Sequence, residues 1–295
     1  MKRKSLLMAV LLAISLAPAT GMAQGVSIGY PTFIDYTTWN LYGSSSVTNT
    51  TPGNGFTYSI LNLTTAGAGG QAGAAFAPTP VALDYNQPFS FTFNFYTPAG
   101  SVAHGDGMTF VLTPDDPNTV NGGSPIVPSG GSDLGYGNSG FGSGFAFAID
   151  TFHFSGEPVS PSIQILQNGS VTPIAYTETG LGSIDEPSYY QWYAVLDYTP
   201  SSSSNETGTL TGTISQFIGN LSYSVSTPVD WSTYSSMPVY YGFTAANGLA
   251  DDGHYVSSAM AVPEPETWAM LLVGVGLVGW RLQGCVHKDN RSRLA

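Results

Sequence analysis

Between Lys4 and Arg281 the sequence contains no lysine and no arginine. All seven basic residues of the 295-residue chain lie near its ends: Lys2, Arg3 and Lys4 before the first apolar run, and Arg281, Lys288, Arg291 and Arg293 after the last. Of the 19 acidic residues, all but Glu264, Glu266 and Asp289 fall within residues 24–262. Affinity for nucleic acid comes chiefly from Lys and Arg neutralising phosphates, so that partner is excluded. Anionic lipid headgroups are excluded for the same reason. Cations and neutral sugars remain as ligand classes, and an acidic surface kept for solubility would account for the charge equally well.

Cysteine is also nearly absent. The one residue, Cys285, lies beyond the last apolar run, so no disulfide or thiol chemistry can occur inside 24–262. With 36 Gly, 20 Pro and 9% charged residues the chain does not read as helical, and no amphipathic segment of helix length occurs between its two ends. Aromatic residues at 13% supply ample material for a core, which argues against disorder. Gly-x-Ser-x-Gly is missing, as is a phosphate-binding glycine loop before a helix. His104, His153 and His254 are too scattered to suggest a metal cluster or a base with a serine partner.

What the sequence does contain is organised in four parts. A basic start, an apolar stretch from Leu6 to Leu16 and the small-residue exit Gly21-Met22-Ala23 form a secretory signal peptide over residues 1–23, with the mature chain starting near Gln24. Over 24–261 the pattern is alternation and punctuation. Phe89, Phe91, Phe93 and Phe95 alternate with Ser90, Thr92 and Asn94, which predicts a strand with one buried face. Similar alternation recurs at Met108 to Leu112, Phe145 to Ile149, Trp192 to Tyr198, Leu221 to Val225 and Val239 to Phe243. Asn168-Gly169, between two further candidate strands, is the dipeptide favoured in two-residue hairpin turns. Many short strands separated by Gly, Pro, Asn and Ser predict an all-β fold, an antiparallel β-sandwich or jelly roll. Segments 122–131 and 201–204 read as surface loops, and the adjacent pairs Asp115-Asp116, Asp185-Glu186 and Asp251-Asp252 as solvated loop charges.

Residues 262–282 and 283–295 make up the rest. Pro263-Glu264-Pro265 precedes an apolar run from Trp268 to Trp280, followed by Arg281. As a helix that run spans only about 20 Å, against a bilayer core of about 30 Å. The order of Val-Pro-Glu-Pro, a glycine-containing apolar helix and a basic end resembles the PEP-CTERM sorting signal of Gram-negative, exopolysaccharide-producing bacteria. The resemblance implies recognition by a membrane-embedded exosortase, transient anchoring in the inner membrane with a basic cytoplasmic tail, and release to the cell surface or extracellular matrix. Arg281 stands alone where that signal usually carries an Arg cluster.

Five segments resemble the legume-type lectins in order and spacing: His104 to Leu112, Gly130 to Gly135, Phe147 to Phe152, Trp192 to Tyr198 and Tyr240 to Gly248. The resemblance implies a concanavalin-like sandwich. It also implies a carbohydrate site in which Asp106 accepts hydrogen bonds from sugar hydroxyls, an amide of the Gly131 loop adds a donor, and Asn247 contributes from the end of a later strand. An ionised acceptor suits this task because it bonds hydroxyls more strongly than a neutral one. In the family the Gly105-Asp106 bond is cis, and a retained sugar site implies a retained cis bond.

The family's metal pair is broken in this sequence. Asp150 is kept, but the preceding same-face Glu is Ala148, the Asn is replaced at Phe154, the Asp-Pro is Glu157-Pro158, and the His is replaced at Ser162. The remaining ligands, Asp150 and Glu157, allow at most one calcium ion and no manganese. Retaining glycoside hydrolases need two carboxyls about 5 Å apart. On the comparable strand the same-face neighbours of Asp150 are Ala148 and Phe152, so the expectation is a noncatalytic lectin-like protein that binds a polysaccharide. The alternative is a structural matrix protein that keeps the fold and has lost sugar binding.

Overall fold

A computed structural model describes residues 34–51, 58–101, 104–184, 192–202, 206–217 and 220–257. The signal peptide, Pro263-Glu264-Pro265, the C-terminal apolar run and Asp185-Glu186 lie outside these residues. Among the described residues no helix is long and apolar enough to cross a membrane.

The described strands are β1 (Asn40–Gly43), β2 (Ser46–Thr50), β3 (Tyr58–Thr64), β4 (Ala72–Phe76), β5 (Phe89–Tyr96), β6 (Gly107–Thr113), β7 (Phe145–Asp150), β8 (Ser162–Gln167), β9 (Ser170–Glu178), β10 (Trp192–Pro200), β11 (Thr207–Gln216), β12 (Ser222–Asp230), β13 (Tyr240–Ala246) and β14 (His254–Ser257). They form two seven-stranded antiparallel sheets, β1-β4-β13-β6-β7-β8-β9 and β12-β11-β10-β5-β14-β3-β2. The expected sandwich is therefore present. Strictly period-two sequences place one set of side chains on each face of a sheet, and here the inward sets of the two sheets meet. Phe93 of β5 lies 5.4 Å from Phe110 of β6 and 4.9 Å from Phe243 of β13, ring centre to ring centre. The Phe93–Phe243 pair, inclined at 75°, adds edge-to-face attraction to the area it buries. Asn168 and Gly169 turn the β8–β9 hairpin with φ of 54° and 72°.

The first sheet departs from the simple alternation expected of its central strands. Every residue of β6 and of β7 is buried. Phe110, Phe145, Phe147 and Ile149 point into the main core, while Val111, Ala146 and Ala148 meet a second apolar cluster. That cluster is roofed by Ile126, Leu134, Tyr136 and Phe141 from the long connection between β6 and β7. The loop predicted around Gly122 to Gly131 thus belongs to a layer that covers the outer face of the first sheet and carries a short 3-10 turn, Gly131–Asp133.

Candidate functional site

Antiparallel pairing brings the relevant chain segments to one end of the first sheet. Ala246 of β13 is opposite Gly107 of β6, Gly107 is opposite Asp150 of β7, and Asp150 is opposite Ser162 of β8. Asp106 therefore sits just before β6, between the end of β13 and the end of β7. Its amide donates to Ala246 O at 3.0 Å and its carbonyl accepts from Thr151 N at 2.9 Å. The Gly105–Asp106 peptide is cis, as the family resemblance implies. Gly105 has φ of 140°, and a β-carbon there would stand 2.6 Å from Phe152 Cβ, so no larger residue fits beside that ring.

The Asp106 side chain is only 2% exposed, and its Oδ2 has no hydrogen-bond partner. Two glycines close over that oxygen, which is sealed from solvent. A β-carbon on Gly248 would lie 3.2 Å from Oδ2 and 3.7 Å from Gly131 Cα, and one on Gly131 would lie 4.0 Å from Oδ2. The expected meeting of Asp106 with the Gly131 loop is thus present, and Gly248 joins it. Burial pushes the Asp106 carboxyl up to about 6; the Gly248 amide pulls it back in part, and the charges of Glu157 and Asp252 add to the rise.

The glycine loop is tied to the sheet through hydroxyls. Thr244 Oγ1 donates to Leu134 O at 2.8 Å, which leaves Thr109 Oγ1 as the donor in its 2.8 Å bond to Thr244. Leu134 itself closes the 3-10 turn in the left-handed region, with φ of 54°.

Asn247 does not face the cleft. It is fully buried, with Oδ1 accepting from Gln71 N at 2.7 Å and Nδ2 donating to Ala68 O at 2.9 Å and Asp252 O at 3.1 Å. Both amide hydrogens are spent on backbone carbonyls, so Asn247 anchors the 248–252 loop and has no donor left for a sugar.

Asp251 and Asp252 correct the expectation of solvated charges, being 4% and 0% exposed. Asp251 accepts from Ser101 N at 2.7 Å and Ser101 Oγ at 2.6 Å. Asp252 accepts from Gly100 N at 2.8 Å and Gly105 N at 3.0 Å, and so fixes the residue that precedes Asp106. Adjacent side chains diverge on extended chain, but both can be satisfied when a loop of free amides packs over them. Sequence reasoning had no signal for that packing. His254 lies beneath this loop, with Nδ1 2.7 Å from Thr64 Oγ1, and burial holds it down to about 3, hence neutral.

The residues expected to hold a metal are arranged differently. Asp150 Oδ1 accepts from Phe152 N at 3.1 Å and Ser160 Oγ at 2.8 Å, and Oδ2 accepts from Gln164 Nε2 at 2.7 Å. Burial raises this carboxyl to about 7, against the pull of the Ser160 and Phe152 donors, and the Glu157 charge adds to the rise. Glu157 Oε2 accepts from Phe154 N at 2.9 Å. Among the described residues no group of three or more His, Cys, Asp or Glu side chains is placed to share an ion. Calcium takes six to eight oxygens, so this donor set does not fit it. Where the family's asparagine would stand, Phe154 packs on Phe152 at 4.9 Å between ring centres and is 39% exposed.

A two-sheet sandwich with a buried carboxylate facing two glycine loops at one sheet end defines a lectin-type domain. The legume lectin domain matches residues 27–260, and the chain belongs to that family. The PEP-CTERM protein-sorting motif matches residues 261–283, which marks an exported, surface-sorted protein. Among solved structures, the Bauhinia forficata lectin in complex with GalNAc is similar at 23% identity and a TM-score of 0.58, over 78% of this chain and 93% of that one. Basic winged bean lectin with Tn-antigen is similar at 21% identity and a TM-score of 0.57, over 75% and 90%. Arcelin-5, a lectin-like defense protein from Phaseolus vulgaris, is similar at 21% identity and a TM-score of 0.53, over the same shares. These identities speak to the fold alone. A search of curated proteins finds no match.

Proposed function

We propose that residues 24–261 bind carbohydrate without catalysis, and that the ligand is a polysaccharide of the surrounding cell-surface matrix. One observation carries the reading: among the described residues, Asp106 Oδ2 is the only buried carboxylate oxygen without a hydrogen-bond partner, and it faces Gly131 and Gly248. A buried acceptor left unpaired is costly, and a ligand hydroxyl that reaches it as the Gly131 and Gly248 backbone moves aside supplies the missing donor. Two exposed apolar residues belong to the adjoining segments: Phe154, which packs on Phe152, and Leu249, which follows Gly248 and is 95% exposed. These suit the C–H face of a sugar ring. The polar groups suit its hydroxyls.

The rest of the chain serves delivery in this reading. Residues 1–23 direct export, residues 262–282 hold the protein in the inner membrane until an exosortase processes it, and residues 283–295 stay cytoplasmic until then. The buried Asn247 amide and the altered metal residues favour a second reading, a matrix protein that keeps the fold without binding sugar.

Glycan-array and matrix-polysaccharide binding by the folded protein separates the two. We expect Asp106→Ala to weaken binding by about tenfold or more, equivalent to 1.4 kcal/mol. Binding that is unchanged in Asp106→Ala would show a sugar site that does not use Asp106, and no binding to any glycan by the wild type would leave the structural role.

A further inference from the structure

The legume-type site joins its sugar cleft to a metal pair, and the strand that bears Asp150 has lost the partner carboxylate at Ala148. Ala148 is directly opposite Gln164 in the β7–β8 register, and both are buried. The small Ala148 side chain leaves room on that face for the longer one across from it. Gln164 uses that room: its Nε2 donates to Asp150 Oδ2 at 2.7 Å and to Ser162 Oγ at 2.9 Å, so both amide hydrogens are committed. The other Asp150 oxygen is taken by Ser160 Oγ and Phe152 N. Glu157 turns to its own loop, where it accepts from Phe154 N while its amide donates to Phe154 O at 3.1 Å.

We infer that Gln164 stands in for the family's metal ion, so that the cleft of this chain is held in shape by hydrogen bonds and works without a divalent cation. The chemistry is that of substitution in kind. A cation beside a carboxylate supplies positive charge and fixes geometry. An amide NH2 supplies a positive dipole and two directed hydrogen bonds to the same end, and cannot itself ligate a metal. A metal entering beside Asp150 would have to expel the Gln164 amide from its two acceptors in a buried site. The segment thus fixed, from Asp150 to Gln164, carries Phe152 against Gly105 and Thr151 N on Asp106 O, so the network reaches the proposed sugar acceptor through two contacts. Gln164 is a positioning residue in this account.

The inference rests on the carbohydrate reading only for its binding arm, and thermal unfolding tests it independently. A ligand that binds the native state alone raises its melting temperature by mass action. The chelator-treated wild type should melt at the same temperature with and without millimolar CaCl2 or MnCl2, and its glycan binding should survive chelator. Gln164→Met, which keeps the length and loses the donor, should lower the melting temperature by about 5 °C without restoring any metal response. Gln164→Glu places a second carboxylate beside Asp150; it should melt lower still in chelator and recover when CaCl2 is added. A wild-type melting temperature that rises with either metal or falls in chelator overturns the inference, as does a Gln164→Met variant that melts like the wild type. If the wild type binds no glycan, the carbohydrate reading fails while the melting comparison still decides the metal question.

Discussion

Asp106, Asp150 and His254 are three buried ionisable groups, and burial is the largest cause of each shift. In the folded chain Asp106 titrates at about 6 and Asp150 at about 7, whereas unfolded carboxyls return to about 4. Between those values the native state holds more protons than the unfolded state, so the contribution of both groups is fully present below about pH 4 and is lost as pH rises through about 6 and 7. His254, held neutral down to about 3, acts in the opposite sense: its contribution is present above its unfolded value near 6.5 and declines as pH falls. The wild-type profile is therefore flattened, and the difference between wild type and Asp106→Asn isolates the carboxylate. From about pH 5 to about pH 8 the melting temperature of Asp106→Asn should gain on the wild type, at roughly 2–4 °C per kcal/mol. Glycan binding by the wild type should fall several-fold as pH drops through about 6, because the ionised acceptor is lost. A gap that is constant with pH would show that the Asp106 carboxyl titrates in the native state as it does in the unfolded chain.

At the scale of elements, the position of the glycine loop depends on the second core. Leu134 is 4% exposed within that cluster, and its carbonyl is the acceptor for Thr244 Oγ1. Leu134→Ala removes buried carbons that hold the 3-10 turn against the first sheet and should cost about 2–5 kcal/mol. Glycan affinity should fall with it, since Gly131 belongs to the same turn. Val229→Ala, in the main core on β12, serves as the control: it should lower the melting temperature without changing affinity, as read by thermal unfolding and glycan titration on the same samples. Strand legibility varied with what filled the inward positions. In β5 those positions are all phenylalanine and the strand was plain. In β11 they alternate Gly208, Leu210, Gly212 and Ile214, because the Phe147 ring occupies the space a side chain at Gly212 would need. That strand was hidden, since the side chain that completes its buried face belongs to another part of the sequence. For β6 and β7 the alternation was visible but the burial of both faces was not, because the covering layer comes from a segment that reads as a loop.

Across the whole molecule, the absence of Lys and Arg from residues 5–280 leaves amides and hydroxyls as the main partners of the described carboxylates, with His104 Nδ1 also 3.8 Å from Asp252 Oδ2. Asp35, Asp84, Asp116 and Asp230 each accept from a backbone amide two residues on, at 2.8–3.0 Å. The Thr37 and Ser232 hydroxyls, together with the amides of the same residues, hold Asp35 and Asp230 below the usual carboxylate range. The same absence makes the export claim easy to check, because trypsin has no cleavage site in the domain. Protein recovered from the surface of an exosortase-bearing host should begin near Gln24 and lack the chain beyond about Pro265, as read by intact mass. Recovery of the complete tail on such protein would refute processing at the sorting motif.

The sequence by itself determined the all-β architecture and the sorting motif, and its resemblance to the lectin family put Asp106 beside Gly131. These follow from local periodicity, from composition, and from short motifs in fixed order, all of which survive in a linear string. The tertiary structure decided what each polar group is free to do. Asn247 had looked like a sugar contact and proved to be a loop anchor, while Asp251 and Asp252 had looked like surface charges and proved to be buried clamps. Gln164 drew no notice, yet it lies across from Ala148 and closes on Asp150. A hydrogen bond depends on distance and direction between atoms far apart in the chain, and register alone brings them within reach.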